Sequence, residues 1–240
     1  MTEGNGGSDK IKSMLHYSSY QLLSTAAAHF FTIAYDKNIA RHGKFIVALS
    51  GGSTPKKMYQ LLATTPFSKN INWKKVFIFF SDERYVPHTD TESNFNMASA
   101  ALLDHIPIPR KNIFAIPTGS TPAKDAARYE KEIKKITGSK KPAFHLVLLG
   151  MGTDGHTASL FPGNEILHEK KRLVKEVFLQ DKNIYRISFT LPLINRAKQI
   201  LILVNGKEKE PVLKKIIANR KTTNPMPVQL VNANILWMVS

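Results

Sequence analysis

Cysteine is absent from all 240 residues, which excludes disulfides and thiolate catalysis together and agrees with a cytoplasmic setting. Acid is scarce: 18 Asp and Glu stand against 34 Lys and Arg, a formal charge of +16. No apolar run approaches the roughly 20 residues that cross a bilayer. The polar, glycine-rich start "MTEGNGGSDKIK" lacks the apolar stretch of a signal peptide and reads as a disordered lead. A soluble cytoplasmic protein is expected, with no membrane partner. Metal-site spacings are missing as well: no HxxxH, HxH or carboxylate cluster occurs, so no metal site is expected. The nucleoside-triphosphate loop GxxxxGK[ST] and the nucleophilic-serine elbow GxSxG are also absent.

The basic excess invites anionic partners. It is spread as lysine doublets, such as Lys56-Lys57, Lys134-Lys135 and Lys214-Lys215, without interleaved aromatics. That distribution fits a solvated surface better than a nucleic-acid face, so no specific nucleic-acid partner is expected.

The hydrophobic content of 42% is enough for one large core, and no composition break suggests a linker. Residues 1–240 are read as a single α/β domain. The runs "KFIVALS", "VFIFFS", "FHLVLLG" and "QILILV" are nearly all apolar, as strands buried on both faces are. "RLVKEVF", "YRISFT", "ILWMV" and, weakly, "NIFAIP" also read as strands. Helical patterns lie between them at about 20–40, from Pro55, and at about 92–103, 123–136 and 207–219. The alternation predicts a largely parallel sheet flanked by helices, with antiparallel strands near 173–190.

In open α/β sheets ligands bind beyond the carboxyl ends of the strands. "SGGSTP", "SDERYVP", "GMGTDGHTASLFPG" and "NGKEK" are therefore expected to converge on one cleft. The first has what phosphate cradling needs: glycines Gly51 and Gly52, hydroxyls on Ser50, Ser53 and Thr54, and a helix N-terminus. A near-copy, "TGSTPAK", follows a weaker strand and reads as an ordinary helix cap by Ser120 or Thr121. In the second loop Asp82 can orient hydroxyls, and Arg84 can hold a phosphate or simply pair with its acidic neighbours. In the third, Asp154 and His156 suit general acid–base work. Lys207 opens the helix after "QILILV" and offers a cation.

At these loops the chain resembles the 6-phosphogluconolactonases of the wider glucosamine-6-phosphate isomerase/deaminase-like superfamily. The matching pieces are "ALSGGSTPKKMYQLL", "SDERYVPHTDTESNFNMASAALLDHIPIP", "FHLVLLGMGTDGHTASLFPG" and "RISFTLPLINRAKQILILVNGKEK", in family order. The resemblance implies a three-layer α/β fold and hydrolysis of 6-phospho-D-glucono-1,5-lactone to 6-phosphogluconate, in the oxidative pentose phosphate pathway, without metal or organic cofactor. It implies His156 as general base with Asp154 as its companion. Gly51, Gly52, Ser53 and Thr54 match the phosphate loop, with Arg84 and Lys207 as its basic residues. Arg186 matches an arginine of the family's "R-I-(T/S)" stretch, although "DKNIY" before it departs from the usual proline-containing lead. The expected partner is a small sugar-phosphate lactone, and the expected state is a monomer. An amino-sugar-phosphate isomerase/deaminase and a sugar-phosphate-sensing regulator share this fold and remain alternatives.

Overall fold

The computed structural model describes residues 14–218 and 222–240; the expected disordered lead lies outside them. In chain order the elements are β1 (Met14–His16), α1 (Tyr20–His42), β2 (Phe45–Leu49), α2 (Ser53–Leu62), α3 (Phe67–Asn70), β3 (Val76–Phe80), β4 (Asp82–Arg84) and α4 (Asn94–Ala101). They continue with α5 (Pro122–Thr137), β5 (Leu146–Gly150), β6 (Val174–Leu179), β7 (Ile184–Phe189), α6 (Leu191–Ile194), β8 (Ile200–Val204), α7 (Glu210–Ala218) and β9 (Ile235–Val239).

The principal sheet has six strands in the order β1-β9-β8-β5-β2-β3, and all its pairs are parallel. Its central strands β2 and β8 are buried at every position, as strands covered by helices on both faces must be. A second sheet, β4-β7-β6, is antiparallel, and α5 packs against β6 and β7. One contiguous cluster of buried side chains spans both sheets and the helices around them.

The helix ends follow local chemistry. α1 starts at Ser19, whose hydroxyl accepts the Leu22 N–H at 3.2 Å, and stops at Gly43 with φ 67°. α5 starts at Thr121, whose hydroxyl takes the Lys124 N–H, with Pro122 at its first position. The near-copy "TGSTPAK" is thus a helix cap, and Thr121 rather than Ser120 makes it.

Three expectations shift. "NIFAIP" forms no strand; a single bridge links Ile113 to Ile78, between a 3₁₀ turn at Arg110–Asn112 and Pro117, which has no N–H to donate. The helix expected over 92–103 narrows to α4. The one expected at 207–219 begins as a 3₁₀ turn, Lys207–Lys209, before α7; position 219 lies outside the described residues. Among the described residues no helix is long and apolar enough to cross a membrane.

Candidate active site

The four strands that precede the loaded loops are neighbours in the sheet, in the order β8-β5-β2-β3, and all run parallel. Their carboxyl ends therefore share one edge. Between β2 and β5 the strand order reverses direction, the place where such sheets open a crevice. A cleft of about 200 Å³ lies there.

One wall is Ser50–Pro55. The buried Tyr59 hydroxyl fixes its start, donating to the Ser50 carbonyl at 2.8 Å and accepting the Ser50 N–H at 3.1 Å. Gly52 precedes α2 with φ 88° and ψ 173°, a conformation open almost only to glycine. No side chain caps α2, and the positive end of its dipole lies beside the cleft, a position that favours an anion.

The opposite wall holds Arg84 and Arg186, which stand opposite each other in the β4–β7 pairing. Each has a buried Nε without a hydrogen-bond partner. Burial lowers the Arg186 pKa most, Asp82 pulls it back up, and Arg84 pushes it down again. It stays a cation, one that gains from an anion placed between the two guanidiniums. Arg84 is anchored from outside by the Glu92 carbonyl and carboxylate. Lys209 completes the basic lining: its ammonium lies 3.5 Å from the Thr54 hydroxyl, and burial lowers its pKa.

The loop after β5 brings Asp154 and His156 to the rim. Asp154 Oδ1 takes the His156 N–H at 3.0 Å and lies 2.6 Å from the ring Nδ1. Burial alone would raise Asp154, but these bonds and the His156 charge outweigh it, so its pKa is lowered. An ionised Asp154 keeps the proton on Nδ1 and leaves Nε2 as the basic nitrogen. The ring packs on Phe161 with centroids 4.4 Å apart. It also lines a second, larger groove of about 1080 Å³ that runs past Phe161, Phe178 and Tyr185.

Ser50, Gly51, Gly52, Ser53, Thr54, Asp82, Arg84, His156 and Arg186 thus line one cleft, with Asp154 bonded to His156 behind it. Lys207 does not. It is exposed in the first turn after β8, and the 3₁₀ turn carries Lys209 to the cleft instead. A second lysine in "NGKEK" was the only signal for this. Glu83 is not a cleft residue: its buried carboxylate takes the N–H groups of Arg84, Asn94 and Phe95, closing the start of α4. Asn94, at the start of α4, and Thr157 and Ala158 also line the cleft; the last two carried no signal beyond lying in a loaded loop, and Asn94 carried none from its place in an expected helix. Among the described residues no group of three His, Asp or Glu is placed to hold a metal ion.

An open parallel α/β sheet with a basic cleft at its strand-order reversal belongs to the class of folds that bind their ligands there. Comparison with known proteins makes the class specific. The family model described as glucosamine-6-phosphate isomerases/6-phosphogluconolactonase matches residues 18–237. A 6-phosphogluconolactonase of a Nostoc species is 40% identical over 210 residues, 85% of each chain. One from a Synechocystis species is 38% identical over 225 residues, 91% of each. The solved structure of 6-phosphogluconolactonase from Trypanosoma cruzi superposes with a TM-score of 0.87 at 30% identity, covering 98% of this chain and 96% of that one. The chain belongs to the glucosamine-6-phosphate isomerase/6-phosphogluconolactonase family.

Proposed function

We propose that this protein hydrolyses 6-phospho-D-glucono-1,5-lactone to 6-phosphogluconate in the oxidative pentose phosphate pathway. One observation carries the reading: His156, backed by Asp154, lines the same cleft as the α2 anion loop and the Arg84–Arg186 pair. The substrate's phosphate sits on that loop, the two guanidiniums and Lys209. Its lactone carbonyl then reaches the rim beside His156.

Nε2 of His156 takes a proton from water as the water oxygen attacks C1. The tetrahedral intermediate collapses with loss of the C1–ring oxygen bond, and the imidazolium returns its proton to the departing ring oxygen. Asp154 stabilises the imidazolium between these steps. The reaction draws on no metal or organic cofactor. We infer further that one domain carries the whole reaction, since a single buried cluster supports every wall of the cleft.

The test is lactone hydrolysis by the purified protein, with the uncatalysed rate subtracted. Wild type should exceed background by orders of magnitude, and His156→Ala should lose about 10²–10⁴-fold, the usual worth of a general base. Ammonia release from glucosamine 6-phosphate, without lactone hydrolysis, would move the protein to the other branch of its family. Full activity in His156→Ala would remove that side chain from the mechanism.

A further inference from the structure

Asp82 lies at the centre of the site, yet it is badly suited to touch a phosphate. Its side chain is buried, and a carboxylate repels an anion. One of its carboxylate oxygens is already engaged. Oδ2 accepts the Ser159 hydroxyl at 2.7 Å and faces Nη1 of Arg186 at 3.9 Å. The Asp82 carbonyl accepts Nδ2 of Asn94 at 2.9 Å, and the Asn94 amide lies where a Cβ on Gly51 would fall.

Ser159 is fully buried and belongs to the loop that presents His156. Its own N–H donates to Ser188 Oγ at 3.2 Å. Between the two, Ala158 is held at φ 48°, an unusual conformation for a residue with a Cβ and one that persists only where its surroundings impose it. Asp82 therefore meets the arginine wall and the histidine loop directly, and the Gly51 turn through Asn94.

We propose that Asp82 and Ser159 are positioning residues that couple anion binding at Arg84 and Arg186 to the setting of the His156 loop. This rests on the lactonase reading above. An anion on Arg186 takes up part of the charge that Asp82 shares with that guanidinium. Asp82 then holds Ser159 more strongly, and Ser159 steadies the backbone that carries His156. The phosphate so raises turnover as well as affinity, the use of remote binding energy at the reacting centre.

A detached anion should act in the same way. Phosphite is the probe, and glucono-1,5-lactone, which carries no phosphate, is the substrate. Rates are taken with and without phosphite and corrected for the enzyme-free rate at the same phosphite concentration. Wild type should be activated saturably by about 5–150-fold, the usual range of coupling between sites. In Ser159→Ala the ratio of rates with and without phosphite should fall towards one. Asp82→Asn, which keeps an acceptor for Ser159 but loses the charge facing Arg186, should do the same and serves if the first variant does not fold. A wild-type enzyme that hydrolyses the phosphorylated lactone but ignores phosphite overturns the coupling. So do variants activated as strongly as wild type. Failure of wild type on the phosphorylated lactone itself overturns the functional reading instead.

Discussion

Arg84 and Arg186 stand across the β4–β7 pairing as two cations, each with a buried and unpartnered Nε. Such an arrangement is costly without a ligand, since buried donors normally find acceptors. Replacing either by Ala should weaken binding of 6-phosphogluconate by about 1.5–3 kcal/mol, the range for a charge-assisted hydrogen bond. Calorimetric titration measures it directly. Unchanged affinity in both variants would place the phosphate elsewhere.

Lys209 and Lys207 offer a sharper contrast. Lys209 reaches the Thr54 hydroxyl inside the cleft, whereas Lys207 is exposed. Lys209→Ala should therefore weaken product binding by a similar amount to the arginine changes, about 1.5–3 kcal/mol. Lys207→Ala should leave it nearly unchanged. Equal losses in the two variants would argue for a mobile turn and against this division of roles.

The two Gly-Ser-Thr-Pro tracts should respond differently to substitution. Gly52→Ala forces a Cβ into a region that costs about 1–3 kcal/mol and disturbs the start of α2 beside the cleft, so product binding should drop. Thr121→Ala should cost only the cap, about 0.5–2 kcal/mol of stability, with affinity intact. Denaturant melts and product titrations on both variants separate the outcomes. Weakened product binding in Thr121→Ala would give the second tract a ligand role after all.

His145 supplies a pH dependence far from the cleft. Its Nδ1 accepts the Ile46 N–H at 3.0 Å, so protonation there breaks a bond at the start of β2. Burial, helped by the charges of His42, Lys44 and Lys198, pushes its pKa down to about 4. Unfolded, it titrates near 6.5, so between about 6.5 and 4 the unfolded chain binds the extra proton. The stabilisation is complete above that window and is lost as pH falls through it. Urea melts at pH 7 and pH 5 should show wild type weakening more than His145→Leu. The variant itself should lose about 1 kcal/mol at pH 7, the bond to Ile46. Parallel losses in the two proteins would assign the acid sensitivity to other groups.

Much of this was legible in the sequence where one rule acts over a short span. β2, β5 and β8 announce themselves because a strand covered on both faces must be apolar throughout. Once those strands are parallel, their following loops have to meet, which places Ser50, Asp82 and His156 together without any contact being known. β1 and β4 escaped for the opposite reason. "MLH" and "DER" carry no alternation, and they are strands only because Trp237–Val239 and Arg186–Ser188 lie beside them. Lys209 was missed because the choice between it and Lys207 depends on whether the first turn is α or 3₁₀. The role of Asp82 was also out of reach. Its type suggested a ligand, while its partner Ser159 lies on another loop whose placement only the folded chain determines.

The His156 loop also has a support far along the chain. Val228 donates its N–H to the Gly155 carbonyl at 3.0 Å, and Met226 fills the space where a Cβ on Gly155 would be. Every side chain assigned to the cleft precedes residue 210. During synthesis they all leave the ribosome before the segment that braces the loop. The loop that presents His156 thus takes its support from residues 226–228, which follow every cleft side chain in the sequence.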